Sequence, residues 1–489
     1  MARVLLTHSY FYRLDPKQWK DARPYPPLGT LMAAAVLREP DQMIASRESP
    51  HAVRVFDTGL RESPDELNTE LDAFKPDIVA IYDDGFNYLT KMCLTVMRDA
   101  CFRMIAAAKA RGCKVAVSSS DSTDHPADYL AHGADAVILG EGEMTLRDLV
   151  ERWTHGTAWQ DVAGISFLTD DGLRTNAKRP VMRDLDALPL PAWDLIDVSP
   201  YRDIWMASQG FFSLNVATTR GCPFKCNWCA KPIYGNRYNS RSPEHVMREL
   251  ELLRDKFRPD HLWMCDDIFG LKPGWVQRFR DLVKERGLKL KYKIQSRADL
   301  LLENDTIAAL AESGLHEVWI GAESGSQRIL DAMDKGITVQ QIAEARAMLK
   351  KHGVRTGFFL QFGYLGETEE DVRKTIDMLE RLMPDDIGIS VSYPLPGTGF
   401  FDKVKDQLGA KRNWTDSDDL AMMFRQQQRP AYYKRLHRYV HKRFRRRQAA
   451  LAGEALLRGE SASLKRLLSG AYYWPASMID ARKLARLSA

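Results

Sequence analysis

Residues 216–232 read Val-Ala-Thr-Thr-Arg-Gly-Cys-Pro-Phe-Lys-Cys-Asn-Trp-Cys-Ala-Lys-Pro. A short β-branched run ends at Thr218-Thr219, and Cys222, Cys226 and Cys229 follow at the spacing C-x3-C-x2-C. Three thiolates on one tight loop suit three irons of a cubane and leave the fourth iron without a cysteine. A cluster with four cysteines carries electrons, whereas an open iron can bind and activate a small molecule. Two plainer readings are a zinc knuckle and three unrelated loop cysteines. Structural zinc takes four protein ligands in paired short spacings, and the chain has no second C-x2-C pair. A disulfide pair is not expected in a chain of 489 residues that shows no signal sequence, since that points to a reducing compartment.

The loop resembles that of the radical S-adenosylmethionine (SAM) superfamily, in which an aromatic residue stands before the third cysteine; Trp228 fills this place. The resemblance implies a [4Fe-4S] cluster on Cys222, Cys226 and Cys229, with the amino and carboxylate groups of SAM on the open iron.

Length predicts two or three domains and an ample core. A net charge of +5 is small for 489 residues and gives no nucleic-acid signal. No run of 18 apolar residues occurs, so no membrane span is expected. The start, Met-Ala-Arg-Val-Leu-Leu-Thr-His, enters a strand directly, and a cytoplasmic protein is expected. Cys93, Cys101, Cys113 and Cys265 are scattered and read as ordinary buried thiols, with Cys265 set apart by the Asp266-Asp267 that follows it.

Outward from the loop, the chain divides into residues 1–150, 151–214, 215–425 and 426–489. The first part alternates β-rich runs (Val4–Leu6, Val53–Phe56, Asp77–Ile81, Lys114–Val117, Asp135–Leu139) with helical ones (Leu28–Leu37, Pro64–Phe74, Leu89–Arg111, Ala127–His132). That is the pattern of an open parallel sheet of Rossmann-like, flavodoxin-like type. Such sheets bind ligands at the carboxyl ends of their strands. There the sequence places Tyr82–Gly85, Ser118-Ser119-Ser120-Asp121 and Gly140-Glu141-Gly142-Glu143. Tyr25–Gly29, Lys75–Val79 and, most specifically, Gly133–Glu143 resemble the cobalamin-binding domain found ahead of many radical SAM enzymes. The resemblance implies cobalamin held near Ser119, Ser120, Glu141 and Gly142. No D-x-H-x-x-G is present, so no histidine is expected on cobalt, although the lone loop residue His125 lies nearby in sequence. The alternative is a flavodoxin-like domain without a ligand.

Residues 151–214 read as a small hairpin around Asp171-Gly172 followed by an ordered strap, Asp184–Leu195. The next part shows six strands (Leu214–Thr218, His261–Met264, Tyr292–Gln295, Glu317–Ile320, Thr356–Gln361, Ile387–Ser392) with helices between them. Six βα repeats predict a partial (β/α)6 TIM-type barrel with its chemistry at the strands' carboxyl ends. The unusual residues fall there: the cysteine loop, Asp266-Asp267, Ser296–Asp299, Gly321–Gly325, Gly363–Thr368 and Tyr393–Thr398. These stretches resemble those of cobalamin-type radical SAM enzymes. The resemblance implies that Glu323 meets the ribose hydroxyls or amino group of SAM, and that Arg297 pairs with its carboxylate. The plain alternatives are a loop salt bridge for Arg297 with Asp299, and helix capping for Glu367-Thr368-Glu369.

In the tail, Lys434, Arg435, His437, Arg438, His441, Lys442, Arg443, Arg445, Arg446 and Arg447 interleave with apolar residues at helical spacing. This suits either a peripheral contact with an anionic membrane or acidic partner, or a solvated helix packed on the barrel. The last forty residues read as helical.

As a whole, the chain resembles the class that includes cobalamin-dependent radical SAM methyltransferases and the anaerobic magnesium-protoporphyrin IX monomethyl ester cyclase. The first implies reductive SAM cleavage, hydrogen abstraction and methylation of an unactivated carbon, with an electron donor such as flavodoxin or ferredoxin. The second implies cyclisation or oxidation from the same radical. A reading of another class is a cobalamin or iron–sulfur sensor without turnover. The substrate has no signature in the sequence beyond being a small molecule.

Overall fold

The computed structural model describes residues 1–39, 51–86, 94–231, 233–409, 413–415, 419–425, 428–459, 461 and 463–488. The chain divides into two compact units. The first comprises Met1–Pro223, Ala230–Ile294 and Asn413–Asp419, and the second Phe224–Cys229, Gln295–Arg412 and Leu420–Ala489.

In the first unit, β1 (Arg3–Thr7), β2 (Ala52–Phe56), β3 (Ile78–Tyr82), β4 (Lys114–Ser118) and β5 (Ala136–Ile138) are parallel and ordered β2-β1-β3-β4-β5. This is the doubly wound, flavodoxin-like order. All five residues of β3 are buried, as expected of a strand covered on both faces. Besides the short helices Pro16–Asp21 and Ser120–Asp124, the helices between these strands are α1 (Leu28–Arg38), α2 (Leu67–Phe74), α3 (Thr95–Lys109) and α4 (Pro126–Ala131). The third was expected from Leu89; its Leu89–Cys93 portion, Cys93 included, lies outside the described residues. An unexpected helix, α5 (Glu143–His155), follows β5. The hairpin β6 (Ile165–Thr169) and β7 (Gly172–Thr175) then extends the sheet antiparallel.

The strap is ordered by buried partners. Trp193 is 1% exposed and its indole N–H donates to Glu249 at 3.3 Å, while the backbone N–H of Ser242 donates to Asp186 at 2.8 Å. It also contains a helix that sequence reading missed, α6 (Ser199–Gln209). Beyond it come β8 (Ser213–Val216), β9 (Thr219–Arg220), β10 (Asn239–Ser240), α7 (Pro243–Phe257), β11 (His261–Met264), α8 (Trp275–Glu285) and β12 (Tyr292–Ser296). β9 pairs antiparallel with β10, while β8, β11 and the start of β12 pair in parallel.

The second unit continues the alternation with α9 (Thr306–Glu312), β13 (Leu315–Glu323), α10 (Val339–Lys351), β14 (Arg355–Phe362), α11 (Glu369–Leu382) and β15 (Asp386–Val391). β13, β14 and β15 are parallel. Val318, Ile320, Phe358 and Leu360 are buried to 1% exposure or less. Apart from the inserted β9–β10 ribbon, strand and helix thus alternate from β8 to β15 as the βα pattern predicts. The tail is helical: α12 (Pro430–Leu457) and α13 (Leu464–Ser488). Tyr433, Leu436, Val440 and Phe444 of α12 are buried on one face. Its cations are largely paired within the chain: Arg443 with Glu380, Arg445 with Asp386, and Arg435 and Lys442 with Asp480.

Candidate active site

In the first unit, the strand that leads into the cysteine loop is held at its end by a buried carboxylate. Asp266, just past β11, accepts the backbone N–H groups of Thr218 and Thr219 at 2.7 and 2.8 Å. Burial pushes its carboxyl up to about 6 despite these bonds. Gly221 then takes φ +78°, and a side chain there would overlap the carbonyl oxygen of Arg237. Glycine is required at this position on both counts.

Arg220, on β9, is buried and forms a triplet with two carboxylates of the Gly140–Glu143 turn. It donates to Glu141 and, at 2.7 Å, to Glu143, with its guanidinium 5.4 Å from the centre of the Tyr234 ring. Burial opposes the charge of Arg220, but Glu143, Tyr234 and Glu141 together hold its pKa above the usual value. Burial raises the Glu141 carboxyl, whose second oxygen accepts the backbone N–H of Met182 at 2.6 Å. A cavity of 190 Å³ opens beside the triplet, lined by Glu141, Glu143, Arg179, Met182, Leu188 and Arg220 among others.

The other cofactor candidates of this unit lie at the same strand ends. Ser119 caps the one-turn helix Ser120–Asp124 by accepting the N–H of Ser122 at 2.9 Å. The Ser120 hydroxyl is buried without a hydrogen-bond partner. At Gly142 a Cβ would stand 2.9 Å from the Tyr82 ring and 3.0 Å from the Ser118 hydroxyl, so only glycine lets the backbone approach so closely.

In the second unit, the turn Cys226–Cys229 is closed by a bond from the N–H of Cys229 to the carbonyl of Cys226, at 3.2 Å. Asn227 anchors it. Its N–H donates to Met333 O at 3.0 Å, its side-chain nitrogen to Ala332 O at 2.8 Å and Asp334 at 2.7 Å, and its carbonyl accepts from Phe400 N at 2.8 Å. Tyr364 donates its hydroxyl to the Asn227 side-chain oxygen at 2.7 Å.

Arg297, directly after β12, is buried, with its guanidinium carbon 3.7 Å from the centre of the Phe224 ring and NH1 4.0 Å from Cys226 Sγ. It grips Asp299 through Nε and NH2 at 3.0 and 2.9 Å and donates from NH1 to Lys335 O at 2.8 Å. The loop salt bridge with Asp299, the plain alternative for Arg297, is therefore present, and it occupies Nε and NH2.

Glu323 closes β13 in a strained turn. Its φ is +54°, a bulge in the pairing with β14 lies between Gly321 and Glu323, and the N–H of Ser324 reaches back to Ala322 O at 2.7 Å. A left-handed conformation at a non-glycine residue costs about 1–2 kcal/mol and concentrates at functional sites. Its carboxylate pairs with the buried Lys335 at 2.9 Å. Burial opposes that ammonium charge, but Glu323 raises its pKa above the usual value. The flanking glycines follow from packing: a Cβ at Gly321 would stand 2.6 Å from Lys335 Nζ, and one at Gly325 would strike Lys374 and Thr375 of α11.

Sequence reading missed Asn227, Lys335, Tyr364 and Arg220, whose roles arise from contacts distant along the chain. It also counted no H-x3-H pair in the chain, which is wrong: His437 and His441 have that spacing, and their rings lie against each other in α12 with centres 4.5 Å apart. Cys101, Cys113 and Cys265 are buried thiols as expected, whereas Cys222, Cys226 and Cys229 are half-buried. Among the described residues no three His, Cys, Asp or Glu side chains gather around a single-ion position; a cubane instead spreads its thiolates over separate irons. Among the same residues no helix is long and apolar enough to cross a membrane.

An uncharacterized methyltransferase of Pyrococcus horikoshii is 32% identical over 284 residues, spanning 57% of this chain and 60% of that protein. The anaerobic magnesium-protoporphyrin IX monomethyl ester cyclase of Cereibacter sphaeroides is 27% identical over 280 residues, spanning 56% of this chain and 45% of the cyclase. The chain thus matches about half the length of these relatives. In fold it is similar to TsrM of Kitasatospora setae, a radical SAM methyltransferase solved with cobalamin and a [4Fe-4S] cluster, with TM-score 0.65, 19% identity, and 84% and 76% of the two chains covered. Residues 216–379 match the radical SAM superfamily model, and this stretch, from the end of β8 into α11, is a radical SAM domain.

Proposed function

We propose that the protein is a cobalamin-dependent radical SAM enzyme that methylates an unactivated carbon of a small molecule. In this reading residues 1–150 bind cobalamin, 151–214 form the strap, 215–425 carry the radical chemistry and 426–489 form the tail. The observation that carries it is the Cys226–Cys229 turn, pinned by Asn227 and flanked by Arg297. Cys222, Cys226 and Cys229 would hold the cluster. When bound, the cluster would supply the electron that cleaves SAM, and cobalamin the methyl group. Glu323, held by Lys335, is assigned to the hydroxyl or amino groups of SAM. Arg297 is assigned to its carboxylate, by exchanging part of its grip on Asp299. Ser120, with its unpartnered hydroxyl, and Ser119, Glu141 and Gly142 are assigned to cobalamin, and the donor set fits through close backbone approach rather than through a histidine.

Thiolate chemistry of this kind suits the reducing cytoplasm, with a flavodoxin or ferredoxin as reductant. Similarity to a methyltransferase favours methyl transfer; similarity to the ester cyclase keeps cyclisation or oxidation as the second reading. The test is anaerobic turnover with methyl-labelled SAM. Methyl transfer predicts 5′-deoxyadenosine, S-adenosylhomocysteine and label in the product, all lost in Cys226→Ala. Turnover without label transfer gives the case to cyclisation or oxidation, and SAM cleavage by Cys226→Ala overturns the radical assignment.

A further inference from the structure

α13 is unlike the rest of the surface. Leu464, Leu468, Tyr472, Trp474, Met478 and Ile479 are between 47% and 65% exposed. Leu464, Leu468, Tyr472 and Ile479 recur at four- and seven-residue intervals on the face turned away from α12, a helical stripe. The opposite side is occupied: Ser477 and Asp480 are buried, Asp480 pairs with Arg435 and Lys442 of α12, and a Cβ at Gly470 would stand 3.1 Å from Ala449. The stripe therefore has no partner in the second unit's own helical hairpin.

The charges around it have one sign. Lys465, Arg466, Arg482, Lys483 and Arg486 are exposed, and Asp480 is the helix's sole acidic residue, consumed by its pairs with α12. Arg446 of α12 adds a guanidinium 5.1 Å from the centre of the Trp474 ring. The expectation of a membrane or acidic contact through the basic run 434–447 thus moves to a different element. That run spends much of its charge on Glu380, Asp386 and Asp480, whereas the cations of α13 stand in solvent beside apolar side chains.

We propose that α13 docks the protein on an anionic lipid surface, lying flat with its stripe in the headgroup region. An interfacial helix needs this combination of an aromatic and aliphatic stripe, flanking cations and no exposed acid. At 25 residues the helix offers about 37 Å of continuous contact, suited to an extended surface. A second copy of the chain would bring the same five cations against these and is disfavoured by like charge. Pro475 interrupts the helical bonding on the outward face, where the carbonyl it leaves unpaired can be hydrated by interfacial water.

The test is co-sedimentation of the full chain with vesicles of phosphatidylcholine alone, or mixed with phosphatidylglycerol. Binding is expected on the mixed vesicles, weakened by salt, and little on the neutral ones. Leu468→Glu with Tyr472→Glu should abolish it. Lys465→Gln with Lys483→Gln should lower the partition coefficient by about fivefold for each residue changed. Both positions of each pair are exposed, so the folded state should survive, as checked by circular dichroism; Leu468→Ser with Tyr472→Ser is the milder version should the glutamates perturb it. Equal binding to both vesicles, no binding, or binding indifferent to these substitutions would overturn the proposal. So would a vesicle-free dimer dissolved by Leu468→Glu, which would identify the stripe as a self-association surface.

Discussion

The hydroxyl of Tyr364 donates to the side-chain oxygen of Asn227 at 2.7 Å, so a residue between two of the three loop cysteines is held by the loop after β14. Five hydrogen bonds converge on Asn227, so protein contacts alone anchor the turn in this structure. Tyr364→Phe removes a single hydroxyl proton, shared between Asn227 and Ala332 O at 2.7 and 2.9 Å, about 1 kcal/mol. Asn227→Ala removes three side-chain bonds and leaves Asp334 and Ala332 O without that donor. Iron per chain after anaerobic reconstitution should be nearly unchanged in Tyr364→Phe and clearly reduced in Asn227→Ala, with thermal midpoints falling in the same order. Full iron retention in Asn227→Ala would show that the cluster alone shapes the turn.

Gly221 and Gly112 have nearly equal φ, +78° and +77°, but different surroundings. A Cβ at Gly112 meets nothing within 4 Å, while one at Gly221 collides with Arg237. Gly112→Ala should cost only the left-handed conformation, about 1 kcal/mol. Gly221→Ala adds an overlap with backbone that cannot yield cheaply, so it should cost several times more in urea unfolding and lose iron binding.

The parallel sheet and the βα alternation were legible because each strand announces itself locally, as Ile78–Tyr82 does with five consecutive residues that bury well. Gly221, Glu323 and Gly325 could be picked out as unusual residues at strand ends, but not why they stand there. Of the helices missed, which include Pro16–Asp21 and Ser120–Asp124, the two longest were missed for local reasons. α5 has Gly142 as its N-cap, with no side-chain cap to signal its start, although Leu146, Leu149 and Val150 carry the helical period. α6 carries only Tyr201 and Trp205 as buried anchors and sits in a proline-rich strap. The triplet of Arg220 with Glu141 and Glu143 spans about eighty residues of chain, and a single sequence offers no way to see such a pairing. The same holds for Lys335, an unremarkable lysine until it is found against Glu323.

Glu367 gives a pH signature. One carboxylate oxygen accepts the N–H of Gly363 at 2.6 Å while the other is buried without a partner, and burial pushes the carboxyl up to about 8 from 4.5. The folded state thus keeps a proton that the unfolded chain releases above about pH 4.5. Stability from this group is full below that pH and is lost as pH rises toward 8, at up to about 1.4 kcal/mol per pH unit. Glu367→Gln is neutral throughout and should remove this slope. Urea midpoints of both proteins across the window should diverge with rising pH, the variant retaining more stability at the upper end. Parallel pH profiles would mean that Glu367 is ionised in the folded protein.

The pair of Glu323 and Lys335 separates a structural role from a binding one. Both side chains are less than 10% exposed, 2.9 Å apart, and removing one partner strands a buried charge at a cost of about 3–5 kcal/mol. Lys335→Met should therefore destabilise strongly, and Glu323→Gln similarly, since a neutral amide leaves the ammonium uncompensated. The double variant Glu323→Gln, Lys335→Met removes both charges and should recover much of the stability. Recovery of stability need not restore binding. If Glu323 serves only the fold, the double variant should bind SAM as the parent does. If its carboxylate also meets SAM, the double variant should be stable yet bind SAM weakly, by about tenfold or more for a lost charged hydrogen bond. Equilibrium dialysis of SAM against the reconstituted proteins, read beside their unfolding curves, distinguishes the two. The turn at Glu323 argues for the second outcome, because a φ of +54° is costly to maintain for a carboxylate that does nothing but neutralise a lysine.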